Sequence, residues 1–244
     1  MEVLFIGTGD AFGAAGRRQA GILVRGPGGV VLLDCGTTTL QGLAALGVGR
    51  NRIDAVLVTH FHADHFGGIP LFLLAALHED RRRRPLTIAG PPGIERRVLG
   101  AAAALGHPLE ARAWPFGLRF QEIACGADLR VGRFEVGCFE ARHQPDSCPR
   151  GLRLAAGSRR IVYTGDTGWF DALPERARGA DLFICECTLA EPGFQYHLSL
   201  NDLLSRRERF DCGRMVLTHL GEAMAGRRGR CDIETADDGM TIRL

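Results

Sequence analysis

Short apolar runs, each closed by glycine, proline or a polar cluster, alternate along this chain with longer segments of helical spacing. Residues 3–6 read as a strand running into Gly7-Thr8-Gly9-Asp10. Residues 22–24 and 30–33 read as two strands joined by Gly26-Pro27-Gly28-Gly29, a hairpin signal. A helix is predicted over 37–46, closed at Gly47, and a buried strand over 53–58. A strongly apolar helix follows over 69–78, then a strand over 86–89 and a helix over 95–105. From residue 116 the pattern turns to hairpins, with strands over 120–123, 129–131, 134–141, 151–154 and 160–163. Strands over 182–185 and 215–217 flank a helix over 201–209, and a short strand over 240–243 ends the chain. Two halves of similar content, dividing near residue 115, predict an α/β architecture of two sheets packed face to face with helices outside. With no glycine- or serine-rich linker between them, residues 1–244 are expected to form one domain.

Composition narrows the class. The 244 residues are 45% apolar and 24% charged, ordinary for a globular protein. Thirty basic and 28 acidic side chains leave a net charge of +2, which argues against attachment to nucleic acid by overall charge. No apolar run approaches the roughly 20 residues of a membrane helix. The start, MEVLFIGTGD, has no basic region or cleavable apolar segment, so a cytoplasmic protein is expected. Eight cysteines, at 35, 125, 138, 148, 185, 187, 212 and 231, include no C-x-x-C pair. Several lie in apolar strands, so buried free thiols are the default. The run Arg81–Arg84 reads either as a phosphate contact or as a solvated helix end, with the second favoured.

The chemistry gathers at strand ends. Behind the predicted strand at 53–58 come His60, His62, Asp64 and His65, four metal-capable side chains within six residues. Alternate residues of an extended chain share a face, so His60 and His62 can grip one ion, while Asp64 and His65 turn toward a second. Asp34, His143, Asp166 and His219 also follow predicted strands, and loops at carboxyl ends of strands converge on one crevice. Taken singly, His143 or His219 reads more readily as a satisfied loop histidine. Together the residues fit two ions: His60, His62 and His143 for the first, Asp64, His65 and His219 for the second, with Asp166 between them. Such a pair activates water and clamps attacking and leaving oxygens, so hydrolysis is the expected reaction class.

The segments THFHADH, His143, Gly165-Asp166-Thr167 and Leu217-Thr218-His219 resemble the metallo-β-lactamase superfamily over nearly the whole chain. The resemblance implies a four-layer αβ/βα sandwich and a dinuclear site, with zinc the first choice and manganese or iron also suited to the donors. It makes Asp34, in LLDCG, a structural residue steadying the histidine loop, and it implies a homodimer. GTGDAFG, GPPGI at 90–94, Glu186 with Thr188, and His197-Leu198-Ser199 are similar to the ribonuclease Z branch, whose members act on phosphodiesters. By that likeness His197 donates a proton to the leaving oxygen and Glu186 orients it, and Asp64 counts with them among the catalytic residues as well as the ligands. Only 22 residues separate His143 from Asp166, too few for the arm with which ribonuclease Z grips tRNA. A small or cyclic phosphodiester attacked by a metal-bridging hydroxide is therefore the expected substrate, with a nucleic acid not favoured. The alternatives are tRNA 3′ processing, a thioester or lactone hydrolase of the glyoxalase II or lactonase type, and, last, a non-enzymatic binding module.

Overall fold

The computed structural model describes residues 1–110, 112–227 and 229–244. The first sheet contains β1 (Glu2–Gly7), β2 (Gly21–Gly26), β3 (Gly29–Leu33), β4 (Ala55–Leu57), β5 (Leu86–Gly90), β6 (Leu118–Glu122) and β14 (Thr241–Arg243), in the order β14-β1-β2-β3-β4-β5-β6. The second contains β7 (Leu129–Val131), β8 (Phe134–Glu140), β9 (Arg150–Ala156), β10 (Arg159–Tyr163), β11 (Leu182–Glu186), β12 (Met215–Thr218) and β13 (Glu234–Thr235), in the order β13-β12-β11-β10-β9-β8-β7. Both sheets are mixed. Neighbouring strands pair antiparallel from β14 to β3 and from β7 to β10, and the remaining strands pair parallel.

Alternation along the strands explains the layering. Val3, Phe5, Val31, Leu33 and Leu57 of the first sheet share a core with Val136, Leu152, Ile161, Tyr163 and Ile184 of the second. The intervening residues Leu4, Ile6, Leu32 and Val56 face outward and pack under α1 (Thr39–Ala45), α3 (Ile69–His78) and α4 (Ile94–Ala104). On the far side, Val162, Phe183, Cys185 and Leu217 pack under α5 (Leu173–Ala177), α6 (Leu200–Leu204) and α7 (Glu222–Ala225). Strands covered on both faces are apolar nearly throughout, with polar residues such as Glu186 and Thr218 at their ends, which is why they read as continuous runs rather than alternating ones. The architecture is the αβ/βα sandwich expected from the sequence. Among the described residues no helix is long and apolar enough to cross a membrane.

Some boundaries differ. The helix expected over 201–209 is α6 followed by a 3-10 turn at Arg207–Arg209. A capping box between Ser199 and Asp202 starts α6 firmly, but Arg206, at φ −128°, breaks the helical path. The short helices α2 (Ala63–Phe66), α5 and α7 and the two-residue β13 exceed what periodicity alone reveals. Within the arginine run, Arg82 is buried rather than solvated. Its guanidinium donates to the carbonyls of Ile53 (2.7 Å), Pro85 (2.7 Å) and Arg84 (2.8 Å) and lies over the Phe116 ring. Arg82 is therefore a strut tying the end of α3 to the strand entries, while Arg81, Arg83 and Arg84 are exposed.

Candidate metal centre

β3, β4, β8, β10 and β12 run in the same direction within their sheets, so the residues that follow them emerge on one edge of the sandwich. The structure brings His60, His62, His143 and Asp166 into one group and Asp64, His65, Asp166 and His219 into another, each with its ligand-capable atoms within 4.8 Å of one another. Asp166 is common to both. Its Oδ1 lies 3.2 Å from His65 Nε2 and 3.4 Å from His219 Nε2, and its Oδ2 lies 3.8 Å from both His60 Nε2 and His143 Nε2. Asp64 Oδ2 stands 3.3 Å from His65 Nε2 and 3.2 Å from His219 Nε2. His62 Nδ1 and His143 Nε2 are 3.1 Å apart.

Each histidine is held by the nitrogen that faces away from the group. Asp34 organises two of them. Its Oδ1 accepts from the Thr59 amide (2.8 Å), and Oδ2 accepts from His65 Nδ1 (2.7 Å) and from the Tyr163 hydroxyl (3.0 Å). The Thr59 hydroxyl donates its single hydrogen to the same carboxylate (2.9 Å), so His60 Nδ1 must donate to Thr59 Oγ1 (3.0 Å). His143 Nδ1 donates to the Tyr196 carbonyl (2.8 Å), and His62 Nε2 donates to Gln144 Oε1 (3.1 Å). The Thr188 hydroxyl donates to Glu186 Oε2 (3.0 Å), which leaves its oxygen to accept from His219 Nδ1 (2.9 Å). Five tautomers are thereby fixed with their inner nitrogens turned toward Asp64 and Asp166. His60 Nε2, His65 Nε2 and Asp166 Oδ1 are buried and make no hydrogen bond among the described residues. Buried orphan nitrogens converging on carboxylate oxygens fit cations better than any hydrogen-bonding scheme the protein offers.

The charges agree. Burial opposes ionisation of Asp64 and Asp166, but the adjoining imidazoles outweigh it and hold both carboxyls below the usual range. Burial likewise opposes charge on His65 and His219, yet Asp166 and Asp64 prevail, raising His65 well above its ordinary value and His219 to about 9. His60, buried and beside His65, is pushed well below its ordinary value. The backbone carries strain at the same place. Asp34 (φ 57°) and His219 (φ 54°) occupy the left-handed region, at a cost of about 1–2 kcal/mol each. Gly165, also left-handed at φ 57°, has no Cβ, and one placed there would meet the Thr59 Cβ at 2.8 Å. Glycine thus allows the Asp166 loop to close on the histidine loop.

Beside these groups stands a dyad. His197 Nδ1 donates to Glu186 Oε1 (2.8 Å), which also accepts from the Thr167 amide (2.9 Å). Burial works against the charged imidazole, but Glu186 more than offsets it and raises its pKa. The His197 ring stacks on His219 at 5.6 Å and meets His143 edge-on at 5.0 Å. A cavity of about 310 Å³ opens next to it, lined by Arg142, Trp169, Phe194 and Gln195 among others. The nine ligand and catalytic candidates read from the sequence therefore lie together, with Asp34 against His65 as their support. Sequence reasoning missed Thr59, Gln144, Tyr163 and Tyr196 as supports and Trp169 and Phe194 as walls. Thr59 had a signal in its place within THFHADH; the others are marked only by the fold.

Ribonuclease Z of Mycobacterium bovis (strain BCG / Pasteur 1173P2) is 28% identical to this chain over 239 residues, covering 90% of this chain and 85% of that one. Among solved structures, the metallo-β-lactamase fold protein YhfI of Bacillus subtilis superposes with a TM-score of 0.79 at 23% identity, covering 99% of each chain. A diphosphatase of the PhnP family superposes with a TM-score of 0.75 at 18% identity, covering 100% of this chain and 98% of that one. The chain thus has the metallo-β-lactamase fold and is similar in sequence to ribonuclease Z, and, matching the family described as Anti-Pycsar protein Apyc1 over residues 1–235, it belongs to that family.

Proposed function

We propose that the protein is a metal-dependent phosphodiesterase acting on small or cyclic phosphodiesters. One observation carries this reading: Asp166 presents one oxygen to each of two histidine groups, each holding a buried and unpartnered imidazole nitrogen (His60 Nε2 in one, His65 Nε2 in the other), and the His197–Glu186 dyad adjoins both. His60, His62, His143 and Asp166 would hold one divalent ion, and Asp64, His65, Asp166 and His219 the other, with zinc the first candidate for this nitrogen-rich set. Such ions, when bound, supply an activated water and neutralise charge on the phosphoryl oxygens.

The rest of the reaction falls to the chain. Asp64 and Asp166 offset the charge of the cations. His197, held through Nδ1 by Glu186, keeps Nε2 for the substrate and donates its proton to the departing oxygen, because an alkoxide leaves poorly without one. Glu186 favours the charged imidazole and fixes its direction. Arg142 offers a guanidinium to the phosphate, while Trp169 and Phe194 offer flat apolar faces to the remainder of the substrate. A pocket of this size suits a small molecule. Between His143 and Asp166 the chain is occupied by the hairpin β9–β10, turned at Gly157-Ser158, and no arm for a folded RNA projects from it.

Purified protein loaded with zinc, assayed on bis(p-nitrophenyl) phosphate, a cyclic nucleoside monophosphate and a panel of thioesters and lactones, tests the reading. Turnover of the diesters with little on the esters is expected. Ester or lactone hydrolysis in the absence of diester cleavage would overturn it, as the metal groups alone would serve that chemistry and the dyad would be superfluous.

A further inference from the structure

The chain leaves the first sheet at β6 and enters the second at β7, and the turn between them carries Cys125, which is exposed. Cys138 lies on the neighbouring β8, 2% exposed, with its side chain in the core shared by the two sheets. Their sulfurs are 3.0 Å apart, a gap only about 1 Å longer than an S–S bond. The Cys138 thiol also lies 3.6 Å from the Ile123 carbonyl, at the start of the same turn, so the two segments are already in register. The other six cysteines have no such partner among the described residues. Neither sulfur belongs to the hydrolytic site, so chemistry at this pair does not depend on that site's activity.

We propose that Cys125 and Cys138 form a reversible disulfide site that takes a low-molecular-weight disulfide as its oxidant. Exposed Cys125 exchanges first: its thiolate attacks one sulfur of the reagent, releasing one thiol and leaving a mixed disulfide. Cys138 then loses its proton to water and attacks the Cys125 sulfur, releasing the second thiol. Two protein thiols become one disulfide, the reagent becomes two thiols, and two electrons pass from protein to reagent. The order follows from access: burial together with the Cys125 neighbour pushes the Cys138 thiol up to about 12, so it reacts with a sulfur held against it rather than with reagents in solution. The product would join the crossover turn to β8, fastening the edge of one sheet to the other.

Trypsin separates the two residues, because Arg119, Arg130, Arg133 and Arg142 leave Cys125 in peptide 120–130 and Cys138 in peptide 134–142. The protein, incubated at pH 8 with oxidised glutathione, alkylated and digested without reductant, is expected to yield these two peptides joined and to separate them with dithiothreitol. Oxidation is expected to raise Tm by on the order of 5–10 °C, from the closing of a short loop in a chain of this size. The Cys125→Ser variant, altered at an exposed position, is expected to lose both the linked peptide and the Tm rise while hydrolysing diesters like the parent. Recovery of Cys125 as glutathione adduct alone, free, or joined to another cysteine would overturn the proposal. So would an unchanged Tm rise in Cys125→Ser.

Discussion

Removing His197 should affect substrates in proportion to how badly their leaving groups need a proton. A general acid contributes about 10²–10⁴-fold. His197→Ala is therefore expected to lower kcat/KM on a diester with an alkoxide leaving group, such as a cyclic nucleoside monophosphate, by about 10³-fold, equivalent to about 4 kcal/mol of barrier. On bis(p-nitrophenyl) phosphate, whose phenolate leaves without help, the loss should stay under about tenfold. Glu186→Gln keeps an acceptor for the ring but removes the charge that favours imidazolium. Because Glu186 raises the His197 pKa, the variant should move the alkaline limb of the pH–rate profile to lower pH, where the acid loses its proton sooner. The comparison requires equal metal content and unchanged circular dichroism in all three proteins, since Glu186 also accepts from the Thr167 and Thr188 amides. Equal losses on both substrates would refute proton donation and leave His197 a merely structural neighbour of His219.

Four more outcomes are expected from the contacts. In metal-free protein His219 titrates at about 9, raised by Asp166 and Asp64; its contribution to stability is present below the unfolded value of about 6.5 and is lost as pH rises through 9. The metal-free Tm should therefore fall between pH 7 and 10, and zinc added at pH 7.5 should release protons, seen by calorimetry in buffers of different ionisation enthalpy. Asp34→Asn turns an NH₂ group toward donors from Thr59, His65 and Tyr163, and should weaken zinc binding about 10–100-fold in a chelator competition. Arg82→Ala leaves three carbonyls without their donor and should cost about 2–3 kcal/mol in urea unfolding, whereas Arg81→Ala and Arg83→Ala should stay within about 0.5 kcal/mol.

How much the sequence discloses depends on the range of the interaction. The central strands of the first sheet are legible because both of their faces are apolar, so even Ala55–Leu57 stands out. The ligands are legible because strand ends deliver them, and four fall within one six-residue stretch. Helix α3 spans the predicted residues 69–78 because its apolar run has a sharp start, with Pro70 in its first turn. What stays hidden depends on partners distant in the chain. Tyr163 reads as an ordinary core aromatic until its hydroxyl meets Asp34, 129 residues away. Arg82 reads as one of four equivalent cations until the fold closes carbonyls around it. α5 and α7 are too short to show a period, and packing against the second sheet forms them, not propensity. The Cys125–Cys138 contact likewise arises only where the chain crosses between sheets.

The hydrolytic chemistry rests on two cations sharing Asp166. Crystals of zinc-loaded protein, with anomalous difference maps recorded on either side of the zinc absorption edge, test this most directly. Two peaks are expected, one enclosed by His60, His62 and His143 and the other by Asp64, His65 and His219, with an Asp166 oxygen directed at each. A single peak, or peaks away from Asp166, would contradict it.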